Sequence, residues 1–273
     1  MPQIEVADLD DPRIAVFRNL KQTNATRWAK TFVVEGDKLV ARLLASSYPV
    51  ESILAAKDCL ECLPARISSD VPVYVLPGAL VEQVVGFNFH RGLLACGRRQ
   101  ADRPLASVCG SAGALTLVVC VDVQDPENLG SILRSSAAFG VEGIVLAGRC
   151  ADALSRRVLR VSMGAALSLP LVQAPDLPLA IELLRRDYAV KCWATALDDA
   201  AARLGAIQRP ARLAILLGNE AHGLSAQWQR LCDDVVTIPM RRGTDSLNVA
   251  VAAGVFLYEI CGRSPAESLP HKP

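Results

Sequence analysis

Leu115-Thr116-Leu117-Val118-Val119-Cys120-Val121 is a valine-rich apolar run broken only by Thr116. A half-buried strand alternates apolar and polar side chains, so a continuous run predicts a strand covered on both faces, as in a parallel sheet. Downstream the pattern keeps alternating. Helix Leu129–Phe139 ends at Gly140, then come strand Gly143–Ala147, helix Ala153–Met163, strand Leu169–Gln173, helix Leu177–Arg186 and strand Tyr188–Ala194. Strand Leu213–Leu217, helix Ser225–Cys232, strand Val235–Ile238 and helix Leu247–Ile260 complete the series. Such alternation gives an α/β domain whose ligands sit at the carboxyl ends of the strands.

Upstream, from about Arg13 to Arg98, shorter elements alternate in the same way and predict a second, smaller α/β domain. These are helix Gly36–Ser46, strand Val50–Ala55, helix Lys57–Leu63, strand Val71–Leu76, helix Ala79–Val85 and strand Leu93–Cys96. The polar segment Gly97–Pro104 is the candidate linker, which divides the chain into 1–105 and 106–273. The ends, up to about Asp11 and from Arg263 onward, read as loose.

No apolar stretch reaches the roughly 18 residues of a membrane span, and Met1-Pro2-Gln3-Ile4-Glu5 lacks the build of a secretion signal. A cytoplasmic protein is expected. The nine cysteines fall at irregular spacings, several within apolar runs, and read as reduced core thiols. Cys59 and Cys62 form a C-x-x-C without the second pair or the histidines that a structural zinc would need, so no metal is expected. A net charge of +1 points to no partner, although 23 of the 29 basic residues are arginine, suited to bidentate phosphate contacts.

Three segments at predicted strand ends could carry chemistry. In Asp122-Val123-Gln124-Asp125-Pro126-Glu127-Asn128, Asn128 reads as an N-cap, with Arg134 about a turn and a half further along the helix. Alone, this describes a capped helix with one solvated arginine. In Gly218-Asn219-Glu220-Ala221-His222-Gly223-Leu224-Ser225, two glycines flank an acidic residue that has no obvious local partner. Alone, this is a strand-to-helix turn, and His222 reads as a surface residue. In Ile238-Pro239-Met240-Arg241-Arg242-Gly243-Thr244-Asp245-Ser246-Leu247-Asn248, a polar loop leads into an almost wholly apolar helix that Ser246 begins. Asn248, in its first turn, is either a hydrogen bonder of the cap region or part of a site.

Together, in this order and spacing, the three segments resemble the signature motifs of the SpoU-type (TrmH-like) RNA 2′-O-ribose methyltransferases, within the SPOUT superfamily. The resemblance covers the second domain, including Arg160-Val161-Ser162-Met163-Gly164-Ala165. It extends to the first, where Phe32-Val33-Val34-Glu35-Gly36 and Gly86–Gly92 echo the family's attached substrate-binding domain. Two positions depart from the pattern. Ala221 and Arg242 stand where glycines are usual, and an alanine held at positive φ would be strained.

The resemblance implies a C-terminal SPOUT-type α/β domain with a parallel sheet and trefoil knot, behind a small N-terminal α/β substrate-binding domain. It implies S-adenosylmethionine as cofactor, with Gly218, Ile238 and Leu247 giving backbone contacts alongside Met240, and Thr195 and Ala196 bordering the pocket. Consistent with this, no G-x-G-x-x-G follows any predicted strand. It assigns catalysis to Arg134, surrounded by Asn128, Glu220, Ser246 and Asn248. Because a guanidinium is a poor proton acceptor, Arg134 fits better as a holder of phosphate and stabiliser of the forming alkoxide. Glu220 or a phosphate oxygen is then left to take the proton.

For RNA contact, Arg156, Arg157 and Arg160 share helical spacing that would aim a basic face outward, and Arg98, Arg99, Arg103, Arg241 and Arg242 are further candidates. The attached first domain points to ribosomal RNA in preference to transfer RNA. The family's two-fold active sites imply a homodimer, for which the last helix is the natural interface. Two rivals remain at this stage: a non-catalytic RNA-binding or ribosome-assembly protein on the same fold, and an ordinary nucleotide-binding α/β enzyme.

Overall fold

The computed structural model describes residues 3–20, 30–65, 67–87, 89, 92–110, 113–198, 200–240 and 246–262. In chain order the strands are β1 (Gln3–Glu5), β2 (Thr31–Glu35), β3 (Val50–Ala56), β4 (Val73–Leu76), β5 (Leu93–Arg98), β6 (Leu115–Val121), β7 (Gly143–Ala147), β8 (Leu171–Ala174), β9 (Lys191–Thr195), β10 (Ala202–Arg203), β11 (Arg212–Leu217) and β12 (Asp234–Thr237). The α-helices are α1 (Asp37–Leu44), α2 (Gly78–Val85), α3 (Ala106–Cys109), α4 (Pro126–Ala138), α5 (Arg156–Val161), α6 (Leu177–Tyr188), α7 (Ala226–Leu231) and α8 (Val249–Cys261). Two compact units result: Met1–Ala101 with Ala153–Ser168, and Asp102–Asp152 with Leu169–Pro273.

The first unit is a mixed sheet in the order β1-β4-β3-β5-β2, with β1, β4 and β3 parallel and β5 antiparallel to both β3 and β2. Ile14, Phe17, Leu54, Leu76, Val81, Val85 and Leu94 form its core. Gln3–Glu5, expected to be loose, is an edge strand registered on Val73–Val75. So short a strand carries no readable periodicity, yet Val6 beyond it is buried and its N–H bonds to Val75 O at 3.0 Å. The segment Ala153–Ser168 packs here through α5, which lies on β2 and leaves all of that edge strand buried.

In the second unit all seven strands run parallel, in the order β10-β12-β9-β11-β6-β7-β8. The opening run Leu115–Val121 is β6, every residue of it buried, as a central strand covered on both faces requires. From β6 the chain steps one way to β7 and β8, then crosses to the other side for β9. Strand β11 fills the place between β6 and β9, so the carboxyl ends of β6 and β11 face one crevice at the switch point. The loops after both strands meet there, Asn219 Nδ2 donating to Asp122 O at 2.9 Å. Among the described residues, no helix is long and apolar enough to cross a membrane, and no group of His, Cys, Asp and Glu is arranged to hold a metal.

Candidate active site

Two helix starts differ from the sequence reading, and both differences build the site. Asp125, not Asn128, caps α4: its side chain accepts the Glu127 N–H at 2.7 Å, and Pro126 occupies the first turn where its missing N–H is harmless. Asn128 is thereby carried into the first turn, 8% exposed. At the other helix, Asn248 is the cap and not a first-turn residue, with Oδ1 accepting from Ala250 N at 2.8 Å and Val251 N at 3.3 Å.

These caps fix the direction of a relay. Since Oδ1 of Asn248 is used by helix amides, its Nδ2 points away and donates to Oδ1 of Asn128 at 2.9 Å. Nδ2 of Asn128 must then donate onward, and it reaches Oε1 of Glu220 at 3.2 Å. The three predicted segments, far apart in the chain, are joined here by two side-chain hydrogen bonds. Glu220 also accepts from the Asp125 N–H at 3.0 Å, the Gln124 N–H at 3.3 Å and Asn219 Nδ2 at 3.4 Å. A carboxylate offers about four lone-pair sites, so these four donors saturate it. Burial pushes its pKa up, but the hydrogen bonds from Asp125, Glu220's own N–H, Asn128 and Gln124 outweigh burial and hold it below the usual 4.5. Glu220 is therefore an ionised acceptor already in use, and the expectation that it could take the substrate's proton loses its physical basis.

The loop after β11 explains its glycines. A Cβ on Gly218 would fall 2.3 Å from the backbone carbon of Gly223 and 2.4 Å from Leu224 N, so only glycine lets the returning chain pass. Asn219 closes the turn, bonding through its backbone to Gly223 and through Oδ1 to the N–H groups of Ala221 and His222. Gly223 alone among these takes a positive φ, +65°, so Ala221 carries no such strain. Beside the loop lies a cleft of about 440 Å³ lined by Thr195, Ala196, Gly218, Ile238, Met240, Ser246 and Leu247, with Leu197, Thr237 and Phe256 adding mostly apolar wall. Every residue that the resemblance assigns to cofactor binding borders this one cleft. Asn219 and His222 of the second segment border it too, as does Leu197, which no motif marks.

Arg134 is not brought there. It stands exposed on α4, and six residues beyond Asn128 it points about 120° away around the helix. Among the described residues it makes no hydrogen bond or ion pair. Ser246 is exposed at the cleft mouth.

The outward basic face expected of Arg156, Arg157 and Arg160 is broken at its first member. Arg156 turns inward to pair with the buried Glu35 at 3.0 Å, donates to Leu20 O at 2.7 Å and stacks over Phe87 at 4.6 Å. Helical spacing could not reveal that Glu35 waits on β2. Arg157 and Arg160 are exposed. Arg98 binds Glu51 at 2.7 Å and Arg99 donates from Nε to Thr31 O at 2.9 Å. Arg241, Arg242, Asn88, His90 and Arg91 lie outside the described residues.

Comparison with known proteins identifies the family. Residues 115–258 match the model of the SpoU rRNA methylase family. The chain is 37% identical to an uncharacterized tRNA/rRNA methyltransferase of Mycobacterium bovis, over 93% of this chain and 90% of the relative. It is 28% identical to the 23S rRNA (guanosine(2553)-2′-O)-methyltransferase of Bacillus subtilis, over 96% of this chain and all (100%) of the relative. The crystal structure of an AdoMet-bound rRNA methyltransferase from Sinorhizobium meliloti superposes with a TM-score of 0.79 at 26% identity, covering 94% of this chain and 97% of that one.

Proposed function

This chain belongs to the SpoU rRNA methylase family and is an S-adenosylmethionine-dependent RNA methyltransferase, and we propose that its acceptor is a ribose 2′-hydroxyl of ribosomal RNA. The observation that carries this reading is the directed relay from the α8 cap through Asn248 and Asn128 to Glu220, set against the cleft.

The cofactor fits what is present. A cleft of about 440 Å³ lies within the range of small-molecule sites. Its apolar wall of Leu197, Met240, Leu247 and Phe256 suits an adenine, while the backbone at Gly218 and Ile238 offers the amides and carbonyls that would orient it. When bound, S-adenosylmethionine supplies an electrophilic methyl on a sulfonium, which leaves as a thioether once the ribose oxygen is methylated and its proton released.

The chain's own residues do the positioning. Glu220, held ionised by four donors, gathers Gln124, Asp125, Asn128 and Asn219 around one point and so fixes the loop after β6 against the loop after β11. Ser246 at the cleft mouth is placed to hydrogen-bond the ribose. Arg134, always charged and without a partner among the described residues, holds the RNA phosphate and stabilises the forming alkoxide. The released proton passes to an oxygen of phosphate or water, since no lone pair of Glu220 is free to take it.

Arg134 is not among the described residues that border the cleft of its own chain, and in this reading it serves the site of a second copy. The exposed face of α8 supports a homodimer. On α8, Val251, Val255 and Tyr258 are 53%, 38% and 61% exposed along one face, while Ala253, Phe256, Leu257 and Ile260 are buried on the other. Helix α4 packs beside α8, with Phe139 edge-on to Tyr258 at 6.3 Å, so the end of α4 borders this apolar stripe. Val255→Asp would set like charges near the two-fold axis at a cost of several kcal/mol. The expected result is a monomer by light scattering, with methyl transfer lost and the fold retained. A dimeric variant with normal transfer would remove α8 as the interface.

Arg157 and Arg160, both exposed, remain the best of the predicted phosphate contacts in that region. A cytoplasmic location follows from the same reading. The deciding experiment is transfer of labelled methyl to ribosomal RNA and to transfer RNA, with the product mapped by 2′-O-methyl-sensitive sequencing. Label at one ribosomal ribose is expected; label on a base, or on transfer RNA alone, would replace the proposed acceptor.

A further inference from the structure

We infer that Asp122 is a positioning residue for methyl transfer, acting through Asn219 and Glu220 and not by touching the cleft; the inference rests on the proposed role of the Glu220 centre. Strand β6 ends at Val121, and the next residue must turn the chain toward α4. Asp122 does so at φ 55°, in the left-handed region where residues other than glycine are uncommon and aspartate is among the tolerated few.

Contacts on three sides hold it there. Its Oδ1 accepts the Arg149 N–H at 2.8 Å, beyond the end of β7. Gly148 leaves the room for this, because a Cβ there would lie 2.5 Å from that same oxygen. Its N–H donates to Ala147 O at 3.1 Å. Its carbonyl accepts Asn219 Nδ2 at 2.9 Å, from the loop after β11. The ends of three adjacent strands, β7, β6 and β11, are thus joined through one residue.

The turn at Asp122 has a consequence two residues on. It aims the N–H groups of Gln124 and Asp125 at Glu220, and Asn219, steadied by the Asp122 carbonyl, supplies a further donor to the same carboxylate. Glycine at 122 would allow the φ but lose the tether to Arg149, leaving the turn free to wander. Asparagine would keep both, since its side-chain oxygen accepts the same N–H and it tolerates left-handed backbone.

The test compares Asp122→Gly, Asp122→Asn, Gly148→Ala, Glu220→Gln and Arg134→Ala for thermal unfolding, S-adenosylhomocysteine binding by calorimetry, and kcat and KM for methyl transfer. Asp122→Gly is expected to lower kcat by about 10²-fold through misplacement of the reacting groups, with cofactor-product affinity and KM for RNA nearly unchanged. Asp122→Asn should transfer within about threefold of the natural protein, because it preserves both the turn and the tether. Gly148→Ala should lower kcat as Asp122→Gly does, by driving the side chain off Arg149, and should also lower its own unfolding temperature because Gly148 sits at φ +66°, so the stability criterion is read on Asp122→Gly. Normal kcat in Asp122→Gly, an Asp122→Asn as slow as Asp122→Gly, or unfolding temperature and cofactor-product affinity falling in step with the rate would each overturn the inference. Normal transfer by Arg134→Ala would withdraw only Arg134 from the chemistry, whereas normal transfer by Glu220→Gln would reject the underlying reading of the Glu220 centre, and Asp122 with it.

Discussion

Arg134→Ala is expected to lower methyl transfer by about 10²–10³-fold, the range for removing one donor that stabilises charge developing in a transition state. It should leave the unfolding temperature and S-adenosylhomocysteine affinity unchanged. The two halves follow from one observation: Arg134 is exposed on α4 and has no partner among the described residues, so nothing in the folded protein depends on it. Surface substitutions of that kind change stability by about 0.5 kcal/mol or less. In the proposed site its use lies with the substrate, where a planar fork of donors would meet a phosphate and the oxygen losing its proton. Arg134→Lys should recover only part of the rate, since a point charge replaces bidentate geometry. Mixing Arg134→Ala with a variant of normal Arg134 but a blocked cleft would restore transfer if the arginine acts across the dimer. Undiminished transfer by Arg134→Ala would withdraw it from the chemistry; loss of activity with equal loss of cofactor-product binding would make it a structural residue.

Strong local periodicity is what makes the second unit legible. Leu115–Val121 and Gly143–Ala147 can be read to the residue, because buried parallel strands are long apolar runs bounded by breakers. Elements without such a signal cannot: Ala202–Arg203 and Gln3–Glu5 are edge strands too short to alternate. The cap of α4 misleads for a definite reason, since both Asp125 and Asn128 are capping residues and Pro126, whose fixed φ suits a first turn, is the better guide. The polar residues of the site are visible as types but not as partners. Asn128 meets Glu220 across 92 residues and Asn248 across 120, distances over which only the sheet order decides who is adjacent. Arg156 escapes the outward reading for the same reason, its partner Glu35 lying 121 residues away. Nothing in the composition marks Asp122, whose proposed role rests on a backbone angle and on a tether to Arg149 across 27 residues.

The second large effect is expected from reversing the polarity of the relay. In Asn128→Asp the side chain still accepts from Asn248, but it presents an oxygen where Glu220 Oε1 now receives a donor at 3.2 Å. Two carboxyl groups at that separation cannot both stay ionised without strain, so one of them titrates well above the ordinary carboxylate range. The sign is definite. In the natural protein, Glu220 is held below 4.5, so its contribution is complete at neutral pH and is lost only as pH falls through that lowered value. In Asn128→Asp one carboxyl binds a proton more readily folded than unfolded, so the variant is least stable at neutral pH and recovers as pH falls through the raised value. A drop in transfer of about 10²-fold at neutral pH is expected, as the loops after β6 and β11 lose their alignment. Glu220→Gln should fail similarly but without pH dependence, because its amide can turn an oxygen toward only two of the four donors and sets its own N–H against the others. Combining the two restores one pairing, with the introduced amide at position 220 donating to the introduced carboxylate at position 128, so the double variant should transfer faster than either single one. Thermal unfolding of all three between pH 5 and 8, beside their transfer rates, checks this. Strictly additive losses, or an Asn128→Asp whose stability ignores pH, would show that Glu220 and Asn128 do not act as the coupled pair that the geometry describes.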